Sequence, residues 1–273
     1  MRIDIVGRCR LFLGIAVVLV AASWFAVLIF GLKPGIDLAG GTEWKISYDD
    51  GKEAVLRFAE SGDAVKEKYA GEIEKEYGRF ETLSFSRIGP VVGRDLLRRS
   101  VWALAGVCLA IALFVAWAFR NVSFRISSWQ YGAAALIALF HDVSIPLGML
   151  AVLGKFGGWM VGTTVIVALL FVLGYSVNDT IVVADRMREH LIEEKSRKTP
   201  IGEVINRSVK ETLARSLNTS MTLIITAAAL LAAGPASLAP FLTVILVGTA
   251  AGTYSSIFVA MPLLYLWNRK CNG

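Results

Sequence analysis

The sequence predicts an all-α polytopic membrane bundle of six transmembrane helices, with a small α/β extracytoplasmic domain between helices one and two. Three observations predict it. Apolar residues make up 55% of the 273-residue chain and charged ones only 18%, with mean hydropathy +0.60, too apolar for a soluble globule of this length. Six apolar runs approach or exceed the roughly 20 residues that cross a bilayer. Outside residues 33–99, the basic residues fall in alternate connections, the bias that six spans require.

The first run, 11–32, has an apolar core longer than the roughly 7–15 residues of a signal peptide and no small-x-small cleavage site after it. It reads as a retained helix. The others are 101–119, 131–153, 160–184, 219–233 and 240–267; the fifth is short unless it begins near Leu217. Arg2, Arg8 and Arg10 precede the first run, and Arg120 and Arg125 separate the second from the third. Arg186, Arg188, Lys195, Arg197, Lys198, Arg207, Lys210 and Arg215 separate the fourth from the fifth, and Arg269 and Lys270 close the chain. The opposite short loops hold only Lys155. Both termini are therefore expected in the cytoplasm of a multi-pass protein of the plasma (inner) membrane.

The expected organisation is a cytoplasmic N-terminus and first helix over 1–32, an extracytoplasmic α/β domain over 33–99, and the remaining five spans over 100–273. Within the exported domain, 42–48 alternates as a strand, Asp49-Asp50-Gly51 signals a hairpin, and 53–58 is the returning strand. Val65, Tyr69, Ile73 and Tyr77 recur at helical spacing. A last strand, 80–88, alternates Phe80, Thr82, Ser84 and Ser86 against Glu81, Leu83, Phe85 and Arg87. Between the fourth and fifth runs, at about 185–217, Ile201, Val204, Ile205, Val209, Leu213 and Leu217 form one stripe, predicting an amphipathic cytoplasmic helix on the bilayer surface.

Composition also excludes classes. The net charge of +6, from 28 basic and 22 acidic residues, reflects basic loops; no nucleic-acid module or zinc spacing occurs. Cys9, Cys108 and Cys271 are too scattered for a disulfide frame or metal cage. No cofactor or metal is expected.

The chemistry-bearing residues lie inside the spans. Asp179 falls in Gly174-Tyr175-Ser176-Val177-Asn178-Asp179-Thr180 of the fourth run. Insertion scales put an acid at such depth at about 2.5–3.5 kcal/mol. Tyr175 and Ser176 stand one turn back, and Asn178 and Thr180 adjoin it, a polar shell able to bind the carboxyl in either protonation state. The residues fit a proton-binding site, or a neutral acid that ties helices together. Asp142 in the third run, beside His141, is either a second relay station or a packing acid; His141 reads as its hydrogen-bond partner rather than a metal ligand. Arg215 stands where the amphipathic segment enters the fifth run, and Thr219, Thr222 and Thr226 continue its face. It is either the cation that pairs with Asp179 or an anchor reaching headgroups. Gly248 and Gly252 form a small-xxx-small pair that packs helices. Residues 35–42 are glycine-rich but lack the lysine-Ser/Thr of a phosphate loop, and read as a tight turn from helix to strand.

Together these strings resemble the SecF branch of the SecD/SecF protein-export membrane proteins, in the resistance-nodulation-division superfamily. The resemblance is carried by Gly35-Ile36-Asp37-Leu38-Ala39-Gly40-Gly41-Thr42, Gly89-Pro90-Val91-Val92-Gly93, His141-Asp142 and the string around Asp179. Asp185-Arg186-Met187-Arg188-Glu189, Thr212-Leu213-Ala214-Arg215-Ser216 and Gly252-Thr253-Tyr254-Ser255-Ser256 extend it. It implies a subunit that pairs with SecD, works beside the SecYEG translocon, and uses the proton gradient to draw unfolded translocating polypeptide outward. It also implies proton-pathway roles for Asp179 and Arg215. The exported domain is shorter than the family's usual one, as if one helix-strand unit were absent.

Three other classes compete. A small-molecule or lipid exporter of the superfamily would carry larger exported domains and about twice the spans. A non-conducting structural partner of SecD would need no titrating acid. An intramembrane aspartyl protease would need Asp142 and Asp179 about 3 Å apart, yet Asp142 reads as mid-membrane and Asp179 as nearer the cytoplasmic edge. Val177 also stands where such proteases carry glycine.

Overall fold

The computed structural model describes residues 4–48, 53–60, 64–120, 126–193 and 199–271. The Asp49-Asp50-Gly51 turn, and Arg2, Arg125, Lys195, Arg197 and Lys198 of the charge pattern, lie outside the described residues. In chain order the helices are α1 (Cys9–Phe30), a single turn α2 (Ile36–Ala39), α3 (Ala64–Tyr77), α4 (Pro90–Ala118), α5 (Ser128–Gly157), α6 (Thr163–Glu193), α7 (Ile201–Ala233), α8 (Ala239–Ser255) and α9 (Met261–Cys271). The strands are β1 (Gly41–Tyr48), β2 (Glu53–Phe58) and β3 (Phe80–Ile88). A π-helical turn, Ser256–Ala260, joins α8 to α9, so the last span is one rod, Ala236–Asn268. Among the described residues, six helices are long and apolar enough to cross a membrane.

Three helices run well past their apolar stretches, and one of them, α6, expected over 160–184, continues to Glu193. α4 begins at Pro90, not at residue 101, because hydropathy marks contact with lipid rather than the start of a helix. Its polar first turns hold an i,i+4 pair, Arg99 to Asp95 at 2.8 Å. α7 likewise continues unbroken from the amphipathic segment into the fifth span, so the expected surface helix and the span form a single helix. No proline interrupts it, and Gly202 lies in its first turn.

The chain divides into two compact units. The first comprises Met1–Leu32, Leu104–Trp159 and Thr164–Gly273, and the second Lys33–Ala103 with Met160–Thr163. In the first, α1 packs along α5, and α8 packs along both α5 and α7. Gly148 lets α1 approach α5: a Cβ there would lie 2.4 Å from the Ser23 Cα. Trp24 secures the seam, stacking on Phe140 at 6.2 Å and donating from Nε1 to Ser144 Oγ at 3.1 Å. At the start of α5, Gln130 Oε1 accepts the Ser127 N–H at 3.0 Å, the return half of a capping box.

The second unit is an antiparallel sheet of order β2-β1-β3 with α3 against one face. Thr42, Trp44 and Ile46 alternate inward along β1, and Ile73 of α3 joins Trp44 and Ile46 in the core. Strict alternation along β3 cannot place Phe80 and Phe85 on one face, yet both meet Trp44 edge-on at 5.5 and 5.8 Å. The reason is a bulge. Lys45 pairs with Ser84 and Ile46 with Thr82, so Leu83 is left unpaired and exposed, and the phase of β3 shifts by one. Thr82 thereby accepts the Trp44 Nε1–H at 3.1 Å.

Candidate functional site

Among the described residues of the helical unit two acids are buried, and their surroundings differ. Asp142 of α5 is fully enclosed. Its Oδ1 meets His141 Nδ1 at 2.9 Å, and its Oδ2 accepts from Ser255 Oγ of α8 at 2.8 Å and from Ser176 Oγ of α6. Donors from two other helices therefore converge on one carboxyl, the arrangement that makes a buried acid tolerable. The adjacent Ser256 accepts from Thr180 Oγ1 of α6 at 3.0 Å and donates to the Gly252 carbonyl at 2.7 Å. Both serines border the π turn, a distortion frequent at functional sites.

Small residues make this convergence possible. A Cβ on Gly252 would sit 2.9 Å from the Ser176 Cβ, and one on Gly248 would sit 2.6 Å from a Val172 methyl. Without those side chains α8 comes close enough to α6 for Ser176 and Ser255 to share one oxygen.

Asp179 lies on another face of α6, only 8% exposed, with Oδ2 buried and without a hydrogen bond. Ser216 of α7 is the side chain that bears on its carboxyl, and the Ser216 Oγ is also buried without a bond. One turn back, Tyr175 donates to Ser220 of α7 at 3.4 Å, and Ser220 accepts from Thr253 of α8 at 2.5 Å. Further along the same seam Glu211 of α7 accepts from Arg186 at 2.5 Å and Arg207 at 3.0 Å, and meets the buried His190 at 3.0 Å. The α6–α7 seam is thus polar from Tyr175 to His190, and Asp179 Oδ2 and the facing Ser216 Oγ are both left without a hydrogen bond in it. A buried acceptor without a partner costs about 1–3 kcal/mol, more when charged, and calls for an explanation.

The residues singled out around Asp179 are distributed rather than gathered. Ser176 and Thr180 belong to the Asp142 seam, and Tyr175 to the α7 seam. Asn178 is exposed on α6. Arg215 and Thr219 are exposed on α7, and Thr219 donates to the Arg215 carbonyl at 2.8 Å. Arg215 makes no ion pair among the described residues. Thr222 and Thr226 bond carbonyls of their own helix, at 2.7 and 2.8 Å. The inward stripe of α7 is Ser208, Thr212, Ser216 and Ser220, displaced by one residue from the stripe through Arg215. Its spacing of four was visible in the sequence. The two acids share no hydrogen bond among the described residues, so no proton-sharing dyad forms.

These features define a multi-pass membrane protein with ionisable groups inside its helical bundle and a small α/β insertion after the first span. Comparison with known proteins specifies it further. The family model "Protein export membrane protein SecD/SecF, C-terminal" matches residues 68–270. The "Protein translocase subunit SecF" of Thermobaculum terrenum is 35% identical, over 98% of this chain and 95% of its own length. The "Protein translocase subunit SecDF" of Thermus thermophilus is 31% identical, over 98% of this chain and 39% of its own. The crystal structure of SecDF from that organism, described as a translocon-associated membrane protein, superposes with a TM-score of 0.84 at 29% identity. That match covers 98% of this chain and 39% of the other, so this chain spans well under half of the fused protein. The chain belongs to the SecD/SecF family of protein-export membrane proteins.

Proposed function

We propose that this protein is a proton-motive-force-coupled accessory subunit of the Sec protein translocase. It pairs with a SecD-type subunit and promotes the outward movement of unfolded polypeptide leaving SecYEG. The pairing is supported by the SecDF relatives, in which a chain like this one is part of a larger polypeptide. The termini lie in the cytoplasm and the α/β unit outside, following the basic residues in the short connections.

One observation carries the coupling: of two buried acids, Asp142 is saturated with donors and Asp179 is not. A saturated carboxyl is a structural anchor. An unsaturated one beside a polar seam is free to gain and lose a proton as water or a cation reaches it. Moving one charge through 100 mV is worth about 2.3 kcal/mol, as large as the packing terms that hold two helices in one arrangement. In the ionised state Arg215, now facing outward beside Ser216, swings toward Asp179; protonation releases it. The exposed polar residues Asn178, Arg215 and Thr219 then lie on the side that the SecD-type partner covers.

The test is export into proteoliposomes containing the complete complex, with and without a proton gradient. Asp179→Asn should abolish the stimulation by the gradient while leaving assembly and gradient-independent export in place. Stimulation of parental size in Asp179→Asn refutes the reading and leaves a structural partner of SecD.

A further inference from the structure

The glycine-rich string after α1 does more than turn the chain. Residues 33–42 form a knot in which several elements of the α/β unit begin. Lys33 O accepts the Val161 N–H at 2.8 Å, and Val161 O accepts the Gly35 N–H at 2.8 Å, a short parallel bridge to the residues just before α6. Asp37 completes it. Its Oδ2 accepts from the backbone N–H of Thr163 at 3.2 Å and from Thr163 Oγ1 at 2.9 Å. Thr163 is the first residue of α6, so a side chain 126 positions earlier caps that helix.

Past Asp37 the chain reaches the central strand β1 within four residues. It does so through Gly40 and Gly41, both at positive φ (82° and 135°). A Cβ on Gly41 would lie 2.6 Å from the Phe58 carbonyl oxygen of β2. One on Gly93 of α4 would lie 2.6 Å from the Gly40 nitrogen. Little slack therefore separates the Asp37 carboxylate from the sheet. In the other direction α6 runs unbroken from Thr163 to Asp179, about 24 Å at 1.5 Å per residue.

We propose that Asp37 is a positioning residue that fastens the first turn of α6 to the base of the sheet. Any displacement of α6 caused by the changing charge of Asp179 then reaches β1 and the rest of the α/β unit. This rests on the proton-coupled reading above. Asp37 acts by keeping the moving helix attached to the element it must move. The N-terminus of α6 also favours a carboxylate electrostatically.

The test uses the full chain with its SecD-type partner in proteoliposomes. A pair of spectroscopic labels, one on α3 and one on the partner, reports movement of the α/β unit after a pH step. An infrared carboxyl band reports protonation of Asp179. Asp37→Ala should leave the Asp179 band intact, abolish the label response, and lower gradient-driven export about tenfold, the scale of losing a helix N-cap. Asp37→Asn should restore most of both, because asparagine caps a helix nearly as well as aspartate. Should Asp37→Ala fail to assemble, Thr163→Val removes only the 2.9 Å bond and should weaken the label response partially. An assembled Asp37→Ala or Thr163→Val complex with the parental label response overturns the assignment. A parental complex whose Asp179 band ignores pH overturns the proton-coupled reading itself, a different readout from the label.

Discussion

Gly252 offers a sharp test of the packing that assembles the buried polar site. An alanine methyl at this position would stand 2.9 Å from the Ser176 Cβ and 3.0 Å from its Oγ. Carbon atoms pack at about 3.5–4.0 Å, so α8 and α6 must part by more than half an ångström. Ser176 is buried and committed to Asp142, so it cannot rotate away without leaving that carboxyl. Overpacking of this kind costs about 1–3 kcal/mol, and the loss of a charge-assisted bond adds to it. Against this stands the helix preference for alanine over glycine, at most about 1 kcal/mol. Gly252→Ala should therefore destabilise by about 1–3 kcal/mol. Gly106 of α4 provides the control, since nothing lies within 4 Å of a Cβ there. Gly106→Ala should be neutral or stabilising by up to about 1 kcal/mol. Reversible unfolding in lipid nanodiscs, read by tryptophan fluorescence, measures both. Equal effects of the two substitutions would refute the close approach of α8 to α6.

Further outcomes follow from the same geometry. Ser176→Ala and Ser255→Ala each remove a donor to Asp142 Oδ2 and should cost about 1–2 kcal/mol singly. A double-mutant cycle should show coupling of at least about 0.5 kcal/mol, and strict additivity would show that they do not share one acceptor. Trp44→Ala removes the centre of the small sheet core and should cost about 3–5 kcal/mol, opening residues 41–88 to limited proteolysis; parental resistance would contradict that core. Asp4 accepts from the Gly7 N–H and the Asn206 amide, which hold its carboxyl below the ordinary value. The stabilisation from a lowered folded value is fully present above the unfolded value and is lost as pH falls below that and through the folded one. Hydrogen-exchange protection of the Ile5 and Val6 amides, both bonded to Asn206 Oδ1, should hold from pH 8 to 5 and decline below about pH 4. Protection persisting at pH 2 would show that Asp4 does not hold that loop.

Much of the helical architecture was legible because lipid imposes one demand, long apolar runs, and the chain meets it six times. What was not legible has physical causes. Hydropathy does not register the polar turns by which α4, α6 and α7 extend beyond lipid. Nor does it separate a lipid-facing side of a helix from a helix-facing one, since both are apolar. The polar stripe through Arg215 and Thr219 was evident, while the one that faces α6 passes through Ser216 and Ser220. A shift of one residue turns the helix face by about 100°. His141, beside Asp142, was legible as its partner, but the two serines that donate to it lie 34 and 113 residues away along the chain, and nothing local announces them. Leu83 illustrates the same limit in a strand, because the bulge that expels it depends on pairing with β1. By contrast, Gly40 and Gly41 at the start of β1 and Gly252 in α8 fell within strings that stood out on sequence grounds, whereas Gly148, where α1 crosses α5, lay in none.

The central claim is that Asp179 exchanges a proton while Asp142 does not. Difference infrared spectroscopy of the complex in bilayers, stepped across the physiological pH range, tests it directly. A protonated-carboxyl band that disappears on alkalinisation, is lost in Asp179→Asn and survives in a complex with Ser176→Ala is the predicted result. A band indifferent to pH, or one that vanishes only when Asp142 is replaced, would contradict it.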